Sequence, residues 1–217
     1  MKIKKFFITI CLPVAVLVFV ILLFIYGKGL LKISEVSYCK ELSYKLYFSN
    51  FECFKFRHSM ESNGIIHFFF DLKNDNEYDY YNNYGIMDMQ KVSRIIDEYL
   101  SENPNNPLNN KKICCTFYLL PGDGMQMYNY DYKTENAERF NDFSFYNNLY
   151  VETSSVLCEL QNVKSIKAYI KQIDSLNFVE EWENIERLHF VSSSFTEEQC
   201  DYLRDVCSQC DLILSSE

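Results

Sequence analysis

The chain has 217 residues, 48% of them apolar and 17% aromatic, with a formal net charge of −9. That composition excludes a disordered chain, and the net charge excludes nucleic acid as a partner because such a surface repels phosphate backbones. The charge is also unevenly spread. Lys2, Lys4, Lys5, Lys28 and Lys32 precede the first acidic residue, Glu35. Removing these five from 21 leaves 16 basic residues against 30 acidic ones, so the remainder carries −14.

Residues 6–26 contain no charged side chain. At about 1.5 Å per residue a helix of this length crosses a bilayer core of about 30 Å, so the sequence predicts a transmembrane span over 6–26. The rival is a cleaved signal peptide, with Gly27-Lys28-Gly29 as a small-x-small site. Its apolar region would run only about 7–15 residues, which favours an uncleaved signal-anchor in the cell membrane. Lysines flank the span on both sides, so orientation rests on the short Lys-rich tail before it, which places the domain outside the cytoplasm. Residues 1–32 then form tail, anchor and juxtamembrane stretch, and the lipid bilayer is the first expected partner.

About 185 residues follow, enough for one domain with its own core. From Val36 to about Arg57, Tyr44, Leu46, Phe48, Phe54 and Phe56 alternate, predicting one or two strands. Asn63-Gly64 signals a turn, and the apolar run Ile65 to Leu72 suits a buried strand. Lys73 to Gly85 is polar and reads as a loop. Asp88 is a candidate cap for a helix carrying Met89, Val92, Ile96 and Tyr99 and ending near Asn103, before Pro104 and Pro107. Ile113–Leu120 predicts another strand, and Pro121-Gly122-Asp123-Gly124 a hairpin into Met125–Tyr132. Strand, strand, helix, strand predicts a mixed α/β part over 33–139.

The last third, 140–217, carries a recurring unit of three apolar positions. It occurs as Phe140, Phe143, Phe145; Val163, Ile166, Ala168; Ile185, Leu188, Phe190; and Cys207, Cys210, Leu212, at spacings of 23, 22 and 22. Asp174 and Thr196 also fall 22 apart. Thr196-Glu197-Glu198-Gln199 is a capping box opening a helix with Cys200, Leu203 and Cys207 on one face. This pattern resembles leucine-rich repeats, although the asparagine that normally follows the strand is absent. The resemblance implies β-α units continuous with the preceding part and a role in binding on a strand-lined face. The expected fold is therefore α/β: a transmembrane helix, a mixed sheet and a repeat-like β-α end.

No local motif announces chemistry. Cys207 and Cys210 form a C-x-x-C, but they occupy apolar positions of the recurring unit, where a free cysteine behaves as a small hydrophobe. The three histidines, His58, His67 and His189, stand beside no nucleophile motif. Asp75, Glu77 and Asp79 alternate, yet an EF-hand would need Gly and Glu where Tyr80 and Ile86 stand. No metal site or cofactor is expected. The best candidates are Tyr78, Tyr80, Tyr81 and Tyr84 in the polar loop and Tyr128 and Tyr130 after the hairpin, with Tyr132 beyond. Tyrosine among Asn and Asp suits a protein or glycan partner, since its ring gives rigid contact area and a polar tip. The expected function is a membrane-tethered interaction or sensing module without catalysis. Its alternatives are a hydrolase with no local motif and an acidic protein that neutralises a basic partner by electrostatic steering.

Overall fold

In the computed structural model, the described residues are 33–73, 84–120, 123–131 and 143–216. Their framework is one eight-stranded sheet in which spatial order follows chain order. The strands are β1 (Phe54–Ser62), β2 (Ile65–Leu72), β3 (Lys112–Leu120), β4 (Asp123–Tyr128), β5 (Phe145–Thr153), β6 (Ser165–Gln172), β7 (Arg187–Val191) and β8 (Asp211–Ser215). β1 and β2 form a hairpin closed by Asn63-Gly64, both at positive φ (52° and 77°), as a tight turn of matching twist requires. β2 and β3 are parallel, β3–β4 and β4–β5 antiparallel, and β5 to β8 all parallel.

Among the described residues three α-helices accompany the sheet: α1 (Lys40–Phe48), α2 (Tyr84–Glu102) and α3 (Glu197–Val206). The parallel connections run through α2, through 3-10 turns at Ser154–Glu159 and Asn177–Glu181, and through α3. Each joins a strand to its next neighbour in the same sense across the sheet. The right-handed rule for such crossovers therefore assigns all four to one face. Burial agrees: Phe68, Phe70, Phe117, Met127, Leu149, Ala168, Leu188 and Phe190, all of one parity, have 0% exposure. Phe117 stacks on Phe70 with centroids 4.5 Å apart and meets Phe54 edge-on at 5.1 Å. The opposite parity faces away from the crossovers.

The structure corrects the expected fold in four places. Among the described residues no helix is long and apolar enough to cross a membrane, and the span expected at 6–26 lies outside them. In place of a single-pass, signal-anchored architecture with a β-α end, the described chain is a mixed sheet with few helices. The stretch read as strands between Val36 and Arg57 instead contains α1. Cys39, Leu42, Ser43 and Leu46 are each 0% exposed at helical spacing, which outweighs the alternation of Tyr44, Leu46 and Phe48.

Asp88 lies inside α2, which begins four residues earlier, and caps no helix. Its buried carboxylate accepts from the backbone N–H groups of Glu52, Cys53 and Phe54 at 2.9, 2.8 and 3.0 Å, holding the entry to β1.

The fixed period of 22–23 residues is also replaced. Strand pairing aligns Tyr146 with Ile166, Ile166 with Leu188 and Leu188 with Leu212, which are steps of 20, 22 and 24 residues. Cys207 caps α3 and Cys210 precedes β8, so the fourth unit was aligned two residues early. Asp174 and Thr196 share a spacing but not a job. Asp174 accepts from Ser154 and Ser155 of the preceding crossover, at 2.8 and 2.6 Å for the hydroxyl contacts. Thr196 closes the capping box with Gln199.

Candidate functional site

The site follows from the uncovered parity of the sheet. On β1 to β3, Phe69 lies at the centre of a ring cluster. His58 is 4.8 Å from it, His67 stacks at 5.8 Å, and Tyr118 stacks on its other side at 6.0 Å. Phe69 and Tyr118 are half-buried, with no helix of the described chain over them. On β5 and β6, Tyr150 and Tyr169 stack at 4.7 Å, and the Lys167 ammonium lies 5.0 Å from the Tyr169 ring centre. All three histidines stand on this face.

A bulge sets which side chains of β5 belong to it. Asn148 has φ 54°, and the register slips between Tyr146 and Leu149. Asparagine tolerates the left-handed region better than most residues. The extra residue sends Leu149 to the core while keeping Phe145 and Asn147 below it, and Tyr150 above it, on the open side.

Below the bulge the open face holds a cavity of about 510 Å³. Four successive strands each supply a pair of side chains two residues apart: Gln126 and Tyr128, Phe145 and Asn147, Ser165 and Lys167, Arg187 and His189, with Asp131 also lining it. The floor is aromatic and one wall is cationic. Arg187 Nε is buried without a hydrogen bond and stands 3.5 Å from Asp211 Oδ2, whose side chain is exposed. Lys167 makes no ion pair among the described residues. Burial pushes the His189 pKa down and the neighbouring Lys167 adds to that, while its Nε2 shares a hydrogen bond with Ser215 Oγ at 3.2 Å. On a chain of strongly negative charge, this wall is a local inversion.

Ser165, His189 and Asp131 are the residue types of a nucleophilic triad, but the geometry does not assemble one. Ser165 pairs with Arg187 and is diagonal to His189, no hydrogen bond joins serine and histidine among the described residues, and His189 is engaged by Ser215.

The tyrosines expected from the sequence fall elsewhere. Tyr78, Tyr80, Tyr81 and Tyr132 lie outside the described residues, and so do Asp75, Glu77 and Asp79; Tyr84 is the first residue of α2. Tyr128 and Tyr130 are 4% and 2% exposed and pack with Cys114 and Phe145, Ile65 lying against them. Tyr128 serves the site as cavity floor, its hydroxyl donating to Gln126 Oε1, and Tyr130 as packing. Sequence reading passed over Phe69, Tyr118, Tyr150, Tyr169, Lys167 and Arg187. For β6 a signal existed: Lys167, Tyr169 and Lys171 share one parity and Ile166, Ala168 and Ile170 the other.

No family model, curated protein or solved structure matches the chain.

Proposed function

We propose that the protein is a non-catalytic recognition module whose working surface is the uncovered face of its sheet, and that its partner is another protein. One observation carries this reading: partly exposed, stacked aromatic rings stand on that face at β2 and β3 and again at β5 and β6, where solvent would normally select polar side chains. Rings held by their neighbours give contact area at little cost in side-chain freedom. The extent also suits a protein. At about 4.8 Å per strand, β1 and β7 are about 29 Å apart, the scale of an interface burying about 800 Å² per partner. Two exposed or partly exposed ion pairs, Arg57–Asp71 and Lys171–Glu152, and the half-buried Arg187 with its exposed partner Asp211 add polar groups to the face.

The test is affinity capture with the full chain, comparing wild type, the double variant Phe69→Ala/Tyr169→Ala, and Tyr202→Ala. Tyr202 lies on α3, bonded to Glu180 away from the open face, so it serves as the control. A specific protein should be held by wild type and by Tyr202→Ala, and lost from the double variant. Equal recovery with the double variant would remove this face from consideration. Binding to a glycan instead, abolished by the same double variant, would change the partner class but keep the surface.

A further inference from the structure

The cavity below the Asn148 bulge has a composition that the rest of the open face lacks, and we infer that it is a site for a small organic anion with a planar body. The inference rests on the reading of the uncovered face as a recognition surface and assigns a ligand class to one part of it.

The chemistry comes from three features that coincide. First, the volume of about 510 Å³ falls in the range of about 300–1,000 Å³ typical of small-molecule sites, and exceeds what a single ion or a single side chain needs. Second, Tyr128 and Phe145 supply an aromatic floor that is already packed from below by Cys114 and Tyr130, so the floor is formed before any ligand arrives. A flat ring stacks on such a floor in offset or edge-on fashion. Third, β6 and β7 place Lys167 directly opposite His189, with Arg187 two residues before the histidine, so three groups that are or can become cationic share one wall. Arg187 faces Asp211 through its buried Nε at 3.5 Å, too long for a hydrogen bond, and its guanidinium carries further N–H donors. Lys167 makes no ion pair among the described residues; its ammonium lies 5.0 Å from the Tyr169 ring centre and is close enough to His189 to act on its titration. A carboxylate or phosphate placed there would give Lys167 an anionic partner and Arg187 a second one beside Asp211. Gln126 and Asn147 share the floor strands and Ser165 stands on β6 beside Lys167, so all three can hydrogen-bond whatever joins ring to anion. Asp131, the one acid lining the cavity among the described residues, sits after β4, at the other end of the row of strands from Arg187 and His189.

The site also has a built-in reporter. Burial and Lys167 hold His189 towards its neutral form. An anion seated between Lys167 and His189 reverses the local field, so occupancy should favour the imidazolium.

The experiment uses the full chain and four probes, phenyl phosphate, benzoate, inorganic phosphate and phenol, with binding followed by calorimetry and the His189 ring titration by NMR. At least one of the two aromatic anions should bind saturably and about tenfold more tightly than inorganic phosphate or phenol, and which one it is assigns the headgroup. The bound anion should raise the His189 titration midpoint. Lys167→Gln should weaken binding several-fold and Lys167→Gln/Arg187→Gln should abolish it, while Lys55→Gln, an exposed lysine of the same face on β1, should leave it unchanged. Three results would each overturn the inference: no saturable binding by either aromatic anion, phenol binding as well as they do, or a His189 midpoint that does not move on saturation. The last needs no variant, so a double variant that failed to fold would not shelter the idea. Loss of partner capture in Phe69→Ala/Tyr169→Ala without any anion binding would sink this site alone. Anion binding without such a capture effect would sink the broader reading alone.

Discussion

On one face of the sheet Phe68, Phe70 and Phe117 have no exposure, while one position along the same strands Phe69 and Tyr118 stack under no described helix. The residue types are alike; what differs is what lies above them. Every parallel crossover is assigned to the first face, so aromatic burial there serves stability, whereas no described helix covers the second face. The comparison teaches that an aromatic residue in a strand cannot be given a role until the sense of the connections is known.

Three experiments can break that contrast or sharpen it. The largest effect belongs to the covered face. Phe117→Ala removes a ring packed on Phe54 and Phe70 and should cost about 3–5 kcal/mol by urea denaturation, against about 1 kcal/mol for Phe69→Ala. Equal losses would mean that the two faces are not energetically distinct. Next comes Asp88→Ala, which strands three backbone N–H groups at the start of β1 and should cost about 2–3 kcal/mol. If Asp88→Ala melted like wild type, the loop before β1 would not depend on that carboxylate.

The smallest effect is on the open face and depends on pH. Burial is the leading cause that lowers the pKa values of His58, His67 and His189 below 6.5, with Arg57 adding to it at His58 and Lys167 at His189. Because the folded values lie below the unfolded one, the unfolded chain takes up protons first as pH falls. This contribution to stability is whole above 6.5, declines as pH drops from there through the folded values, and is constant below them. The urea midpoint should fall between about pH 7 and pH 5.5, and less steeply in a variant with all three histidines changed to Gln. Identical slopes would show that the histidines of this face do not feel their surroundings.

How far this was legible in the sequence depended on the range of the interaction. Asn63-Gly64, the Pro121–Gly124 hairpin and the Thr196 capping box are signals within four residues, and the strands or helix that they announce are present. β2 was harder. Ile65 to Leu72 looks continuously apolar, yet Ile66, Phe68 and Phe70 are buried while Ile65, His67 and Phe69 are partly exposed, because aromatic and β-branched residues fill both faces. α1 was missed because tyrosine and phenylalanine suit a strand, and only the burial of Cys39, Leu42 and Leu46 shows the helical face. The cavity was beyond sequence reading altogether. Lys167 and His189 are 22 residues apart and meet only through the parallel pairing of β6 with β7. The Asn148 bulge that turns Leu149 to the core and Tyr150 to the open face leaves no mark except an asparagine among many.

The agreement between chain order and strand order has a consequence for how the molecule is made. Each strand leaving the ribosome finds its neighbour already synthesised, so the sheet can lengthen one strand at a time without waiting for distant sequence. Until the next strand arrives, the newest one exposes an unpaired edge that any passing strand could extend. Among the described residues the last strand of the series is the five-residue β8, with Asp211 at its start, a short edge that offers little to extend.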